Sequence, residues 1–387
     1  MLAWHASTGV LAAGVGGAVV VARGGEAVVL ADASDSSAVA AVTLSDDGRY
    51  LISAQVSKAV RCWDVSTSTQ VSNRSVARRP TALAVAKFQG EVAVLVACSG
   101  ELFAMRVPDL AFGETKEAES LKFCLGHTSS IITSVAVNAS TDRVATTDRN
   151  EKVRVSHYPR TEVIQSFCLG HSDFVARSAF INSTRLASCG GDGTLRIWDS
   201  EKGLELASLS LAPLDEAGKA KPLSCLAVSP GSQTFVAVSV QGVVIVALVD
   251  AATGMEVARG SCDAGAAIVD LVFLSESRLL AFVGDALKIF VEFDVSVQGA
   301  AVTMQLAAAS PAASALAAAS CKAGLVPAAP SLGAAAGEGE NKDGRAPPSV
   351  LRKHALEIRY DTARLEPEKA RPRGLAPSAD AAPNADA

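Results

Sequence analysis

Two stretches of this chain repeat one another. Leu125-Gly126-His127 leads on to Val155 and Leu169-Gly170-His171 leads on to Ile197, with the Gly-His pairs about 44 residues apart. A unit of that length, made of short β-branched runs and glycine turns, cannot bury its own faces, so copies have to stack side by side. The second copy closes with Leu186-Ala187-Ser188 and then Gly191-Asp192-Gly193-Thr194-Leu195-Arg196-Ile197-Trp198-Asp199. An imidazole from a Gly-His turn, a turn aspartate, a strand hydroxyl and an indole N–H make one buried hydrogen-bond chain. His171, Asp192, Ser188 and Trp198 are therefore expected to act together, because buried polar groups must find partners. Ser, His and Asp also compose nucleophilic sites, but the spacing here is that of a structural repeat and no oxyanion loop accompanies it.

Weaker copies flank these two. The stretch from Val42 to Val65 holds a turn at Ser45-Asp46-Asp47-Gly48, a strand through Ser53 and a terminal Trp63-Asp64. Thr81 to Val107 alternates apolar and small residues, and Leu223 to Val249, Ile268 to Phe293 and Met1 to Leu30 carry short β-branched runs between glycine turns. Gly14, Gly16 and Gly17 lack the offset and following helix of a phosphate cradle and read as hairpin turns. Together these units number roughly seven, which predicts an all-β, seven-bladed WD40-type β-propeller over residues 1–298. Either the N-terminal strand or a strand near Val302 to Leu306 is open as the element that closes the ring.

From about Gly299 alanine, proline, serine and glycine take over. Residues 299–341 are expected to form a disordered linker and 342–387 a charged tail, the C-terminal tail as a whole lying outside the propeller. Leu351, Leu356, Ile358 and Leu365 fall only roughly on one side of a short helix, and a solvated tail is the simpler reading. Deletion after Ala300 is accordingly expected to leave the remainder intact. With 49% hydrophobic residues in 387 the chain has ample material for a core, and its net charge of -5 excludes a protein whose whole surface wraps a phosphate backbone. RNA contact would have to be local or shared. The eight cysteines stand singly, without zinc or disulfide spacing, as small buried hydrophobes of a reducing compartment. Thr8 to Ala22 is apolar, but no Lys or Arg precedes it and glycines interrupt it. Leu306 to Ala319 is too short for a membrane span and contains Pro311. A soluble intracellular protein without membrane contact is expected.

The most specific run is Thr147-Asp148-Arg149-Asn150-Glu151-Lys152-Val153-Arg154-Val155-Ser156-His157-Tyr158-Pro159, followed by Ile164-Gln165-Ser166-Phe167-Cys168-Leu169-Gly170-His171-Ser172-Asp173-Phe174-Val175-Ala176. A generic repeat has a Trp-Asp pair at Ser156-His157 and an aspartate at Asn150. The run resembles the non-catalytic WD-repeat subunit of the eukaryotic tRNA (guanine-N7)-methyltransferase, whose members carry A-D-R-D-E-K-I-R-V-S-x-Y-P and then I-x-S-F-C-L-G-H-x-x-F-V-S. The likeness is good from Gly126 to Asp199.

That resemblance implies a scaffold whose side surface, around these two blades, docks a separate catalytic subunit. The partner binds S-adenosylmethionine and forms N7-methylguanosine in the tRNA variable loop, while this chain holds no cofactor and no metal. The resemblance implies partner-binding roles for Arg177 first, then Asp173, Arg149, Lys152 and Arg154, with Phe174 as either an apolar anchor or blade core. It also implies a nuclear location, with the cytoplasm as a further site, and contact with tRNA indirectly or through the tail. The residues themselves offer no strand-glycine-helix unit, metal cluster or poised nucleophile for an enzyme. The rival reading is a general WD40 adaptor, such as a ubiquitin-ligase substrate receptor or a ribosome-assembly factor.

Overall fold

The computed structural model describes residues 1–88, 91–106, 122–216, 218–231, 235–243, 245–261, 267–283, 289–298, 301–323 and Leu325. They form seven four-stranded sheets, each an antiparallel meander of consecutive strands. In order these blades take residues 2–30, 39–75, 80–126, 132–169, 175–210, 223–261 and 268–307. The chain is thus a seven-bladed β-propeller, as the repeat predicts.

Burial follows position in the blade. The second strands Val10–Val15, Tyr50–Gln55 and Phe235–Val240 are buried at every residue, since each lies between neighbouring blades on both faces. The outer strand of blade 2, Thr69–Ser75, is polar and largely exposed. The turn from second to third strand needs a left-handed residue in six blades, supplied by Gly16, Lys58, Ser99, Glu151, Gly193 and Gly242. In blades 2 to 4 lysine, serine or glutamate fills that position, so the glycine that marks a repeat is missing from their turns.

Seven apolar clusters occupy the seven joints between adjacent blades. Cys62, Cys98 and Cys168 sit in these joints, and burial pushes their thiols up to about 12, so they act as small hydrophobes.

The ring closes by neither a shared nor a borrowed strand. Leu2–His5 is the inner strand of its own first blade, and Ala301–Ala307 completes blade 7. Blade 7 then packs face to face on blade 1, with the Trp4 indole N–H donating to the Leu274 carbonyl at 3.0 Å and the Leu2 amide to Asp270 at 2.8 Å. A helix, α1 (Pro311–Lys322), lies over this joint and buries Ala313 and Leu316 in its cluster.

Two expectations change as a result. The propeller extends past 298, and the first part of the 299–341 segment is a strand and a helix instead of a disordered linker. The physical reason is that alanine is the strongest helix former, and Ser310 followed by Pro311 supplies the N-cap and first-turn residue that start a helix. The Ser310 amide also donates to buried Glu292 at 2.8 Å. Residues 326–387, including the charged tail and its weighed helix, lie outside the described residues. No described helix is long and apolar enough to cross a membrane.

Candidate partner-docking surface

Blades 4 and 5 are built around two versions of one polar chain. In blade 5 the Trp198 indole donates to Ser188 Oγ at 2.8 Å, Ser188 meets His171 Nε2 at 2.7 Å, and His171 Nδ1 meets Asp192 at 2.9 Å. The indole fixes the direction: Ser188 donates to Nε2, so the imidazole proton sits on Nδ1 and points at the carboxylate. Burial works to raise the Asp192 carboxyl, yet the His171 contact and the Thr194 amide and hydroxyl hold it down, to about 2. His171, Ser188 and Trp198 are all buried, so the group's hydrogen bonds serve the interior of the blade.

Blade 4 keeps three members of the chain. His127 Nε2 meets Thr146 at 2.8 Å and Nδ1 meets Asp148 at 2.9 Å. The turn aspartate is thus Asp148, two residues before Asn150, where the sequence comparison places it. Its other oxygen accepts from the Asn150 and Lys152 amides, and so it caps the turn that Asn150 belongs to. Burial opposes ionisation of Asp148, but the His127 hydrogen bond and these amides outweigh it and lower its pKa. In place of the indole stand Ser156 and Arg154. The Arg154 guanidinium donates to Ser156 at 2.9 Å, to the Thr161 carbonyl at 2.8 Å and to the Gly126 carbonyl at 3.4 Å.

The six residues singled out for docking do not form one patch. Arg154 is a strut between blades 3 and 4. Arg177 sits on the inner strand Val175–Phe180 and lines the central channel with Met1, Thr81, Ser134 and Asp270, around a cavity of about 190 Å³. It donates to the Met1 sulfur at 3.4 Å and to the Ala176 carbonyl at 3.3 Å. The innermost strand of blade 5 thus places Arg177 on the channel wall. Phe174 covers the Gly190-Gly191 turn so closely that a Cβ on Gly191 would approach its ring to 2.5 Å, which makes it part of the blade. Asp173 stands on the rim, accepting from the Phe174 amide at 2.8 Å and from Lys219 at 3.0 Å. Arg149 on the same rim and Lys152 at the head of the third strand remain accessible.

What sequence reasoning missed is apolar and lies on the outer edge. Strand Ile164–Leu169 buries Ser166 and Cys168 and exposes Ile164, Phe167 at 44% and Leu169 at 64%. The register sets Leu169 opposite Lys152 and Phe167 opposite Arg154. On the neighbouring edge Leu204 and Leu206 are exposed as well, and the two blades are tied there by Ser166 Oγ donating to the Ser200 carbonyl at 2.6 Å. The signal was present: an outermost strand that is apolar on both of its alternating faces has a use for the second face.

Comparison with known proteins agrees with this part of the chain. Residues 109–290 match the family model of the tRNA methyltransferase TRM82 WD40 domain, and residues 29–64 match the WD domain, G-beta repeat. The chain is 37% identical over 184 residues to the tRNA (guanine-N(7)-)-methyltransferase non-catalytic subunit WDR4 of Homo sapiens, an alignment that covers 47% of this chain and 42% of that protein. It is 36% identical over 188 residues to the same subunit of Mus musculus, covering 48% and 43%. Against the non-catalytic subunit wuho of Anopheles gambiae it is 44% identical over 101 residues, 26% of each chain. The matched segment spans less than half the length of these relatives. Among solved structures, the β-propeller domain of Cps50 (Swd1) from Myceliophteria thermophila superposes with a TM-score of 0.59 at 15% identity, covering 72% of this chain and 92% of that one, which speaks to the fold alone. This chain is a WD-repeat β-propeller whose residues 109–290 are similar to the tRNA methyltransferase TRM82 WD40 domain.

Proposed function

We infer that the chain is a non-catalytic scaffold subunit of a tRNA (guanine-N7)-methyltransferase, which binds the catalytic subunit and holds it in a competent shape for forming N7-methylguanosine in the tRNA variable loop. The observation that carries this reading is the coincidence of two features. The family likeness falls on residues 109–290, and within that span the outer strands of blades 4 and 5 expose Ile164, Phe167, Leu169, Leu204 and Leu206. An apolar centre with Lys152, Glu201 and Lys202 around it has the make-up of a protein interface, in which buried anchors supply affinity and the charged rim sets register. The relatives are themselves named non-catalytic subunits, and the Ser-His-Asp set of blade 5 is consumed by structure. A nuclear location belongs to the same proposal and is checked by imaging the tagged chain in its native cell.

The test is co-expression with the cognate catalytic subunit. A stable heterodimer is expected, active on tRNA only as the pair, and Phe167→Asp with Leu169→Asp should weaken it by about a hundredfold or more, the loss typical of buried anchors. A double variant that folds and binds undiminished removes this edge from the interface. Methylation by the isolated chain, or capture of ubiquitin-ligase or ribosome-assembly components in place of a methyltransferase, defeats the scaffold reading.

A further inference from the structure

A second concavity is separate from that edge. A groove of about 700 Å³ lies on the rim above blades 3 and 4, among Arg78, Glu101, Phe123, Ser130 and Arg149. Its floor is rigid. The His127 amide donates to the Gly100 carbonyl at 2.7 Å and the Ile132 amide to the Ser99 carbonyl at 2.7 Å, while a Cβ on Gly100 would come within 2.5 Å of the Ser130 carbonyl.

Its aromatic ring is held by a neighbour, and its guanidinium groups are left unengaged. Phe123 is 57% exposed, yet its ring is fixed edge-on to Phe103, with centroids 5.9 Å apart and planes at 74°. The Arg149 amide donates to the Ile131 carbonyl at 3.1 Å, but neither the Arg78 nor the Arg149 guanidinium has a hydrogen bond or ion pair among the described residues. Other arginines of the propeller are engaged: Arg49 with Asp64, Arg143 with Asp142, Arg196 with Glu205, and Arg154 with its carbonyls. Two free guanidinium groups and an exposed aromatic face around one concavity ask for a ligand that combines anions with a flat ring. Glu101 narrows the choice, because a purely anionic ligand would be repelled by it, whereas a base edge with adjacent N–H donors would satisfy both carboxylate oxygens. Guanine presents such an edge, and uracil has one N–H between two carbonyls.

We propose that this groove binds a single-stranded RNA segment, with a guanine-type base stacked on Phe123 and read by Glu101 and its flanking phosphates held by Arg78 and Arg149. The site deepens the tRNA-modification reading only in saying which RNA reaches it. The chemistry of the groove does not depend on the catalytic subunit. It also fits an acidic chain better than a general basic surface would, since two local arginines can hold RNA where a net charge of -5 cannot.

The experiment is fluorescence anisotropy of the full chain with fluorescein-labelled RNA pentamers, UUGUU and UUUUU, across a salt series. Wild type should prefer UUGUU. Arg78→Ala with Arg149→Ala should weaken both RNAs and flatten the log-log salt slope by about 1.4, two phosphates at roughly 0.7 each on single strands. Phe123→Ala should cost about tenfold or more, with Phe123→Leu as a second variant should the first fold poorly. Glu101→Gln should erase the preference between the two RNAs. Unchanged binding in the arginine variant, or tighter capture of an acidic poly-glutamate peptide than of either RNA, overturns the proposal. Co-purification of the catalytic subunit is measured on the same variants. Loss of the subunit with the arginine pair would make the groove part of the protein interface and overturn the RNA site. RNA binding by a chain that captures no methyltransferase would leave the groove standing and defeat the scaffold reading.

Discussion

The joint between blades 4 and 5 and the joint between blades 7 and 1 solve one problem by different means. At the first, a small apolar cluster is reinforced by directional polar contacts: the Trp198-Ser188-His171-Asp192 chain and the tie from Ser166 to Ser200. At the second, a larger apolar cluster is sealed from outside by α1, which buries its own Leu316 in it. A hydrogen-bond chain requires particular residue types at particular spacings, so it leaves a signature. An apolar seal requires only volume and a face, so many sequences serve and no signature accumulates.

The comparison can be broken most forcefully at the closing joint. Truncation after Gln298 removes the outer strand of blade 7, with Met304 from one cluster, and α1 with Leu316 from another. The expected cost is about 5 kcal/mol or more, of the order of a domain's whole net stability, read as loss of the cooperative thermal transition. A truncated chain that melts as the full one does would reduce α1 to decoration and restore the expectation that everything past 300 is dispensable.

At the other joint, Trp198→Ala deletes a fully buried indole and should destabilise by about 3 to 5 kcal/mol in denaturant titrations. Arg154→Ala, at the place where blade 4 has no indole, should cost only about 1 to 3 kcal/mol, the loss of hydrogen bonds from a half-buried charge. Equal losses would mean that the strut replaces the indole in full. Acid sharpens the contrast further. Asp192 is held near 2 in the folded chain against 3.8 as its ordinary value, so its contribution is complete above about pH 4 and disappears as the pH falls through 2. That contribution is of order 2 kcal/mol, and Asp148 acts in the same direction. Asp192→Asn should lessen the fall in stability between pH 4 and pH 2, and an unaltered acid limb would place the acid sensitivity elsewhere.

Legibility tracked the same division. The blades, their number and the His171 chain were readable, because period and polar spacing are written in the sequence itself. Asp148 was misplaced by two residues, since the sequence comparison aligned the turn on Asn150 while the backbone, turning left-handed at Glu151, brought Asp148 beneath the imidazole. Arg177 was singled out on the family resemblance, which carries no information on where in a blade the residue sits. The channel of a propeller is an interior surface that is nonetheless polar, and a run of residues does not reveal which strand of a blade faces it. The exposed Phe167 and Leu169 went unremarked because apolar residues in a strand read first as core.

By itself the sequence determined that this chain folds as stacked four-stranded units, and that one pair of them carries a particular family's motif. Only the tertiary structure decided how the ring shuts, which charges face the channel, and which apolar side chains are left uncovered at the edge. Those outcomes depend on the distance between blades, which widens from the axis outward. The same alternation that buries a side chain near the centre therefore leaves its counterpart exposed at the rim.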